Sequence, residues 1–269
     1  MALVATTYRE HAPHPALRAH VRVLWTLAGP CDDPAPQTLL PDGAMSLWLN
    51  FGDAIAGAGH DVATGSAALL GEVRRPLEVA SAGVLDIVGV TFWPGHARAF
   101  VDASLAELAD RLVVTPPLLA SLNDVVDAAP GDRIARLQHV LLRALRPARA
   151  PSALMRHAFS RLDHDDAPDI AALARDAGLS TRQLERRFAD ELGTSPKQMA
   201  SVLRFRRALA AMQVDAPDFV DIAYRCGYAD QAHLIRDFAR YTGAPPKRFV
   251  DVDAPRTRRE WLARPGRVA

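Results

Sequence analysis

The chain has 269 residues, enough for two domains that each bury a core. Its net charge of +1 is unevenly spread: residues 151–269 hold 20 Lys and Arg against 16 Asp and Glu, and residues 1–150 hold 12 against 15. Two cysteines exclude a disulfide framework. With no stretch of ~20 apolar residues and no signal-peptide pattern at the N-terminus, the sequence predicts a soluble, cytoplasmic protein without a membrane partner.

The first predicted elements, from Val21 to about Trp93, are strands. Short apolar or alternating runs such as VRVLWTLA, AMSLWLNFG and VLDIVGVTFW are separated by turns that contain glycine or proline, among them Asp42-Gly43 and Ala82-Gly83. Several short strands separated by turns predict a cupin-like barrel or a sandwich. We therefore expect an α+β chain whose first domain, residues 1–115, is strand-rich.

Helical patterns follow the strands. The short helices predicted are His96–Val101, Leu105–Leu112 and Pro116–Ala128. Arg133–Arg146 has a 3.6-residue apolar period, which predicts an amphipathic helix. Its apolar stripe consists of Ile134, Leu137, Leu141 and Leu145. The segment RPARAPS, residues 146–152, contains two prolines and no large apolar side chain, so residues 116–151 are assigned as a helical connector that ends in a linker.

Residues 152–252 contain one pattern twice. Asp169–Lys197 and Asp221–Phe249 each combine a short helix, a turn at a glycine, a second helix with one apolar face, and a Gly-x-x-Pro ending. Equivalent residues lie 49 apart before the turn and 50 apart after it, as Phe188 and Phe238 do. Two helices around a short turn, with a polar outer face on the second, form the helix-turn-helix pattern, and its repetition strengthens the assignment.

The segment Lys197–Met212 is predicted to be a helix between the two repeats. At ~1.5 Å per residue it spans about 25 Å and can hold the repeats apart as a stiff spacer. Its predicted buried side consists of Met199, Val202, Phe205, Leu209 and Met212. Arg204 and Arg207 are expected to point away from that side.

These features resemble the AraC family of bacterial transcription regulators. The resemblance covers about Ser152 to Val250 and rests on the two helix-turn-helix units, the arginine-bearing helix between them and the closing GAPPKRF. The pieces LPDGAMSLWLNFG and GVTFWPGHARAF are similar to an uncharacterised N-terminal domain of some AraC-like regulators. In that family two recognition helices enter adjacent major grooves, so the resemblance implies a transcription regulator that binds double-stranded DNA, with RNA polymerase as a candidate partner.

The candidate base contacts lie on the outer faces of the two recognition helices. Arginine can bond both acceptors of guanine, a carboxylate can accept from cytosine, and glutamine can pair with adenine. The candidates are Thr181, Arg182, Glu185 and Arg186 in the first helix and Gln231, Ala232, Ile235 and Arg236 in the second. Without the repeat, exposed Arg and Glu would be interpreted as solvated ion pairs. Because Ala232 and Ile235 offer only apolar contact, we expect the second helix to discriminate less.

Four further residues are candidates for phosphate contacts. Thr194 and Ser195 precede a helix start, where free N–H groups either bind a phosphate or are capped by side chains. Arg204 and Arg207 are assigned to structural or phosphate-contacting roles rather than to base reading.

The strand-rich domain is assigned to effector sensing. Trp25, Trp48 and Trp93 are candidates for lining a small-molecule site, although aromatic residues in a small barrel also serve as core. The alternative is a module that only pairs protomers or docks a partner protein, and the sequence leaves both open. For a homodimer, the stripe of Arg133–Arg146 is a second candidate pairing surface.

No catalytic residue, metal site or cofactor is predicted. His11, His14 and His20 have no acidic or cysteine partner in register. A DNA-repair enzyme that accepts alkyl groups would need a cluster of zinc-bound cysteines, and the sequence has no HExxH, GxSxG or Walker motif. Residues 253–269 form a basic tail.

Overall fold

The computed structural model describes residues 6–31, 36–57, 60–114, 122–164, 167–212 and 218–247. The chain divides into two compact units. The first comprises Met1–Leu39, Ala44–Val73 and Leu77–Ala150, and the second comprises Leu40–Gly43, Arg74–Pro76 and Pro151–Ala269. Part of the predicted helix at Pro116–Ala128, the last two residues of GAPPKRF and the basic tail lie outside the described residues.

The first unit contains two antiparallel sheets, which confirms the prediction of a strand-rich domain. Its strands are β1 (Thr7–His11), β2 (Val21–Pro30), β3 (Gln37–Leu39), β4 (Ser46–Asn50), β5 (Ile55–Gly57), β6 (His60–Val62), β7 (Ala67–Leu70), β8 (Leu77–Ser81), β9 (Val84–Phe92) and β10 (Leu112–Val114). One sheet has the order β1-β2-β9-β4-β7-β10, and the other has the order β3-β8-β5-β6.

Both faces of the larger sheet are buried. Successive side chains of a strand point to opposite faces, so in β4 Leu47 and Leu49 belong to one core cluster and Trp48 belongs to another. The cluster around Trp48 includes Ile55 and Leu77 of the smaller sheet. The two sheets therefore form a sandwich around one core, and helices cover the opposite face of the larger sheet.

The helices of the first unit are shorter than the sequence predicts. They are α1 (Leu105–Leu108), α2 (Asn123–Val126) and α3 (Arg133–Ala144), with single-turn 3-10 helices at Pro15–Leu17, His96–Ala99, Pro130–Asp132 and Pro147–Arg149. The predicted helix Leu105–Leu112 is wrong beyond Leu108. Asp110 has a left-handed φ of 56°, which ends the helical path, and Leu112 pairs with Leu70 as the first residue of β10.

The apolar stripe of α3 is covered by its own domain. Leu137 and Leu141 are fully buried in the core beneath the larger sheet, and Ile134 and Leu145 pack against that core. The start of the helix is fixed by Arg133, which bonds Asp86 at 2.8 Å. The sequence-based idea that this stripe pairs protomers is therefore wrong, because the stripe already has its partner surface.

The second unit is helical, as predicted. Its helices are α4 (Ala153–Leu162), α5 (Ile170–Asp176), α6 (Thr181–Leu192), α7 (Pro196–Ala211), α8 (Phe219–Arg225) and α9 (Gln231–Thr242). The pairs α5–α6 and α8–α9 are the two helix-turn-helix units, and α7 is the spacer helix. Leu203 of α7 packs in the core around α6, whereas Val202 and Phe205 pack in the core around α9. Among the described residues, none of the helices is long and apolar enough to cross a bilayer.

Candidate nucleic-acid interface

The first helix-turn-helix unit is bounded by side-chain caps. Asp169 caps α5 by accepting from the amide of Ala172 at 2.6 Å. The turn contains Gly178 at φ 65°, a left-handed conformation that glycine adopts without a Cβ clash. Ser180 and Gln183 then form the capping box that the sequence predicts, since each side chain accepts from the amide of the other residue. The start of α6, and with it the direction of its first side chains, is thus fixed locally.

The outer face of α6 carries all four predicted base contacts. Leu184, Phe188 and Leu192 are buried, so the helical period turns the intervening residues outward. The exposed set is Thr181, Arg182, Glu185 and Arg186. In the described part of the chain, no hydrogen bond or ion pair occupies the side chains of Arg182, Glu185 or Arg186. These groups are free to bond base edges or phosphates.

The second recognition helix, α9, is built in the same way. Asp230 caps it by accepting from the amide of His233 at 2.6 Å, as predicted. Leu234, Phe238 and Tyr241 form its buried face. The predicted contacts Gln231, Ala232, Ile235 and Arg236 are all exposed. Ile235 is 37% exposed, so it and Ala232 give this face two apolar groups beside the polar Gln231 and Arg236.

Thr194 and Ser195, the two residues before the spacer, differ in placement. Ser195 is exposed and caps α7 by accepting from the amide of Gln198 at 3.1 Å, so the capping alternative holds for it. Thr194 is only 4% exposed, and its hydroxyl oxygen has no hydrogen-bond partner among the described residues. The side chain of Thr194 is therefore not exposed to a ligand, and phosphate binding by the backbone N–H groups of this helix start stays a prediction.

The spacer arginines Arg204 and Arg207 are half-buried and contact neighbouring helices. Arg204 lies with its guanidinium 5.2 Å from the centroid of the Tyr228 ring and 3.7 Å from a carboxylate oxygen of Asp237. Arg207 donates to the backbone carbonyls of Leu162, the last residue of α4, and of His164, just beyond it. The spacer is packed by helices on more than one side, so the face opposite its apolar side is also covered. These contacts favour the structural alternative for both arginines, and the phosphate-contacting role stays a prediction.

Polar residues that the sequence interpretation missed lie between α7 and α9. Asp237 and Ser201 bond each other at 3.0 Å, and Tyr241 donates to Ser201 at 2.9 Å. Burial raises the pKa of the Tyr228 phenol, and Asp237 raises it further. Burial likewise raises the pKa of Tyr241. A sequence signal was available, since Asp237 falls next to the buried Phe238 and four residues after His233 on α9.

Two of the three candidate ligand-binding tryptophans lie together. The rings of Trp25 and Trp48 meet edge to face with centroids 6.2 Å apart inside the sandwich. Trp25 donates to the Thr91 hydroxyl at 3.1 Å, whereas the indole N–H of Trp48 is buried without a partner among the described residues. Trp93 is half-buried outside this cluster and donates to the carbonyl of Arg18 at 3.0 Å.

An open cleft of about 180 Å³ lies on the surface of the first unit, between α2 and α3. It is lined by Asp124, Arg136, His139, Val140 and Arg143. None of the three tryptophans contributes to it. Among the residues that the structure describes, no group of three or more His, Cys, Asp or Glu is arranged to hold a metal ion.

The chain matches two sequence families. Residues 173–251 match a family described as a helix-turn-helix domain, and residues 9–114 match a family described as a domain of unknown function, DUF6597. The first match spans both recognition helices. The second spans all ten strands except the first two residues of β1.

Among characterised relatives, the transcriptional activator RhaS of Escherichia coli is 32% identical over 164 residues, which cover 58% of this chain and 57% of RhaS. The transcriptional regulator GbdR of Pseudomonas aeruginosa is 32% identical over 79 residues, which cover 29% of this chain and 22% of GbdR. Among solved structures, ToxT of Vibrio cholerae is 10% identical with a TM-score of 0.47, covering 91% of this chain and 97% of ToxT. The matched stretch thus spans little more than half of RhaS and about a fifth of GbdR.

Proposed function

Since residues 173–251 match a helix-turn-helix family and the two units within them resemble the AraC family, we propose that the protein is a transcriptional regulator that binds specific DNA sequences. Its partner is double-stranded DNA, with one recognition helix in each of two adjacent major grooves. It acts in the cytoplasm as a binding protein rather than an enzyme, and RNA polymerase is the partner through which it would alter transcription.

The observation that carries this proposal is the pair of matched exposed faces on α6 and α9. Each helix buries an apolar face and presents four residues at the same spacing, offset by 50 positions. On α6, Arg182, Glu185 and Arg186 are unoccupied by other described side chains. Arginine can bond both acceptors of guanine and a carboxylate can accept from cytosine, so an unpaired set on a recognition helix is available for contact with base edges.

The first unit is proposed to sense a small organic effector. Trp48 supports this role, because a buried indole N–H without a partner is costly and an acceptor on a bound molecule would satisfy it. Trp25 lines the same place, whereas Trp93 does not. The other candidate role is protein docking or pairing of protomers into a homodimer, and the exposed polar side of α3 remains available for it.

The proposal is tested by selecting duplexes from a random pool with the full chain, followed by footprinting on the preferred site. We expect protection in two adjacent major grooves per protomer and an affinity that falls steeply with salt, because bound phosphates release counterions. Arg186→Ala should lower the affinity for the preferred site by ~1–3 kcal/mol and relax the preference at one base position.

Arg225→Ala is the matched control. Arg225 is also an exposed helix arginine, but it lies on α8 and bonds Asp221 at 3.2 Å. The control removes the same charge without touching a recognition face, so the site preference should stay unchanged. Equal binding to all duplexes, or protection of a single groove, would contradict the proposed function.

A further inference from the structure

The carboxylate of Asp237, at the contact between α7 and α9, has three polar neighbours. Asp237 lies on α9 with its side chain only 13% exposed. One of its oxygens, Oδ2, accepts from the Ser201 hydroxyl at 3.0 Å and lies 3.7 Å from Nη2 of Arg204, both on α7. The same oxygen is 3.8 Å from Nε2 of His233, one turn earlier on α9. The second recognition helix is thereby bonded to the spacer helix.

The bonding continues along the contact. The Tyr241 hydroxyl donates to Ser201, and the side-chain amide of Gln198 donates to the Tyr241 hydroxyl at 3.3 Å. Arg240 donates to the amide oxygen of Gln198 at 3.0 Å. On the spacer, the participating residues recur every three positions, so they form one row on its surface. That row is Gln198, Ser201 and Arg204.

Such a row restricts movement that apolar packing permits. Burial of apolar area is non-directional, so two packed helices can slide or rotate slightly at little cost. Hydrogen bonds need short distances and aligned donors, and a half-buried carboxylate that loses its partners is left as an uncompensated charge. The network therefore fixes both the rotation and the axial position of α9 on α7.

Among the described residues, the first recognition helix has no equivalent link to the spacer. Arg187 occupies the position in α6 that corresponds to Asp237, and it is exposed. Glu191 occupies the position of Tyr241 and accepts from the amide of Ser152, the N-cap of α4, at 2.6 Å. The polar anchor of α6 is thus on α4 rather than on the spacer. In the part of the chain that the structure describes, the Asp237 network thus belongs to the second helix-turn-helix unit and its contact with the spacer, and has no counterpart in the first helix-turn-helix unit.

We propose that Asp237 is a positioning residue that fixes the second recognition helix on the spacer. It thereby sets the spacing of two DNA half-sites, defined as the base pairs that each recognition helix of one protomer contacts. This inference rests on the proposed function. On DNA, one extra base pair moves a half-site by about 3.4 Å and rotates it by about 34°. A spacer with a rigidly bonded α9 cannot follow that change, whereas one with a loosened α9 can follow part of it.

The experiment uses the full chain and its selected site, with duplexes in which one base pair is inserted or deleted between the half-sites. Wild type should lose about tenfold or more in affinity on either altered duplex, as a misplaced contact does. Asp237→Asn keeps the shape but removes the charge that Arg204 and His233 face. It should lose less than about threefold on the altered duplexes, and its preference within the first half-site should be unchanged.

Asp221→Asn is the control, since Asp221 is an exposed carboxylate of the same unit that bonds only Arg225 among the contacts described. It should keep the spacing discrimination of wild type. Ser201→Ala is a second variant that removes the hydroxyl between Asp237 and Tyr241, and it should relax spacing in the same direction if Asp237→Asn does not fold. Undiminished discrimination by the folded variants would overturn the inference while leaving the proposed function intact. A wild-type chain without any site preference would overturn both.

Discussion

At the scale of single residues, Tyr228 is notable because its side chain is buried and its hydroxyl lacks a hydrogen-bond partner among the described residues. It is buried beside Arg204 and Asp237, and its phenol oxygen has no hydrogen-bond partner among the described residues. Desolvation raises its pKa above the ordinary value of about 10. The unfolded chain therefore loses the Tyr228 proton at a lower pH than the folded chain does. As a result, this group leaves the free energy of unfolding at its full value below pH ~10 and lowers it as the pH rises further.

We therefore predict that Tyr228→Phe raises the free energy of unfolding of the second unit by ~1 kcal/mol at pH 7.5, because it deletes an unsatisfied buried hydroxyl. The variant should also lose less stability than wild type when the pH rises from about 9 to about 11. Urea unfolding of the full chain at both pH values measures this. Tyr224→Phe is the control, since Tyr224 is 85% exposed and should change neither quantity. A destabilised Tyr228→Phe at pH 7.5 would mean that the hydroxyl has a partner.

Residue placement could be predicted where one periodicity decides it. The exposed set on α6 follows from the buried Leu184 and Phe188 alone, so the sequence was sufficient there. It was insufficient for Arg204, whose environment depends on Tyr228 and Asp237, more than 20 positions away in the chain. Local pattern separates a helix into two faces but does not reveal which neighbouring helix covers the second face.

At the scale of elements, the two recognition helices begin differently. The first turn of α6 is held by two reciprocal bonds between Ser180 and Gln183. In α9, Asp230 accepts from the amide of His233, and the His233 ring accepts from the amide of Ala229 at a longer 3.5 Å. The candidate contacts Thr181 and Arg182 follow the capping box directly. The cap therefore determines the direction of side chains that the proposal places at the DNA.

We predict that Ser180→Ala lowers the stability of the second unit by ~1 kcal/mol, because the amide of Gln183 loses its acceptor. Amide hydrogen exchange should accelerate in the first turn of α6, and the affinity for the selected site should fall. Ser160→Ala is the control, since Ser160 is an exposed residue inside α4 and caps nothing. Unchanged exchange in the first turn would show that the cap is dispensable.

The type of an element, helix or strand, could be predicted where its apolar pattern was long. The prediction failed where that pattern was short. The capped, periodic α6 and α9 have the expected ends, with Gly193 and Gly243 at their C-caps in left-handed conformations. Leu105–Leu112 contains few residues, and its apolar positions suit either a helix or a strand. Pairing of Leu112 with Leu70 decided the outcome, and such a contact between distant residues is invisible to a local window.

At the scale of the whole molecule, the chain has two units with separate cores. If a ligand in the first unit is to control DNA binding by the second, it must bind one state of the protein more tightly than another. A molecule that binds two states of the protein equally shifts nothing between them. The tryptophan pair is the place to look, because burial has already made its environment apolar while leaving the Trp48 N–H without a partner in the described chain. A ligand with an acceptor atom at that place would give the Trp48 N–H the hydrogen bond that it lacks in the described chain.

The last prediction concerns this coupling. Small organic molecules with a hydrogen-bond acceptor are screened by thermal shift on the full chain, which retains the segments Leu40–Gly43 and Arg74–Pro76 that group with the second unit. A hit should change DNA affinity by ~1–3 kcal/mol, the range typical of coupled sites.

Trp48→Phe should abolish that response without altering the affinity for DNA alone, because it removes only the N–H and part of the ring. Trp93→Phe, outside the cluster, should respond as wild type does. If Trp48→Phe still responds fully, the effector binds elsewhere, and if no ligand changes DNA affinity while the full chain is dimeric, the first unit is a pairing module.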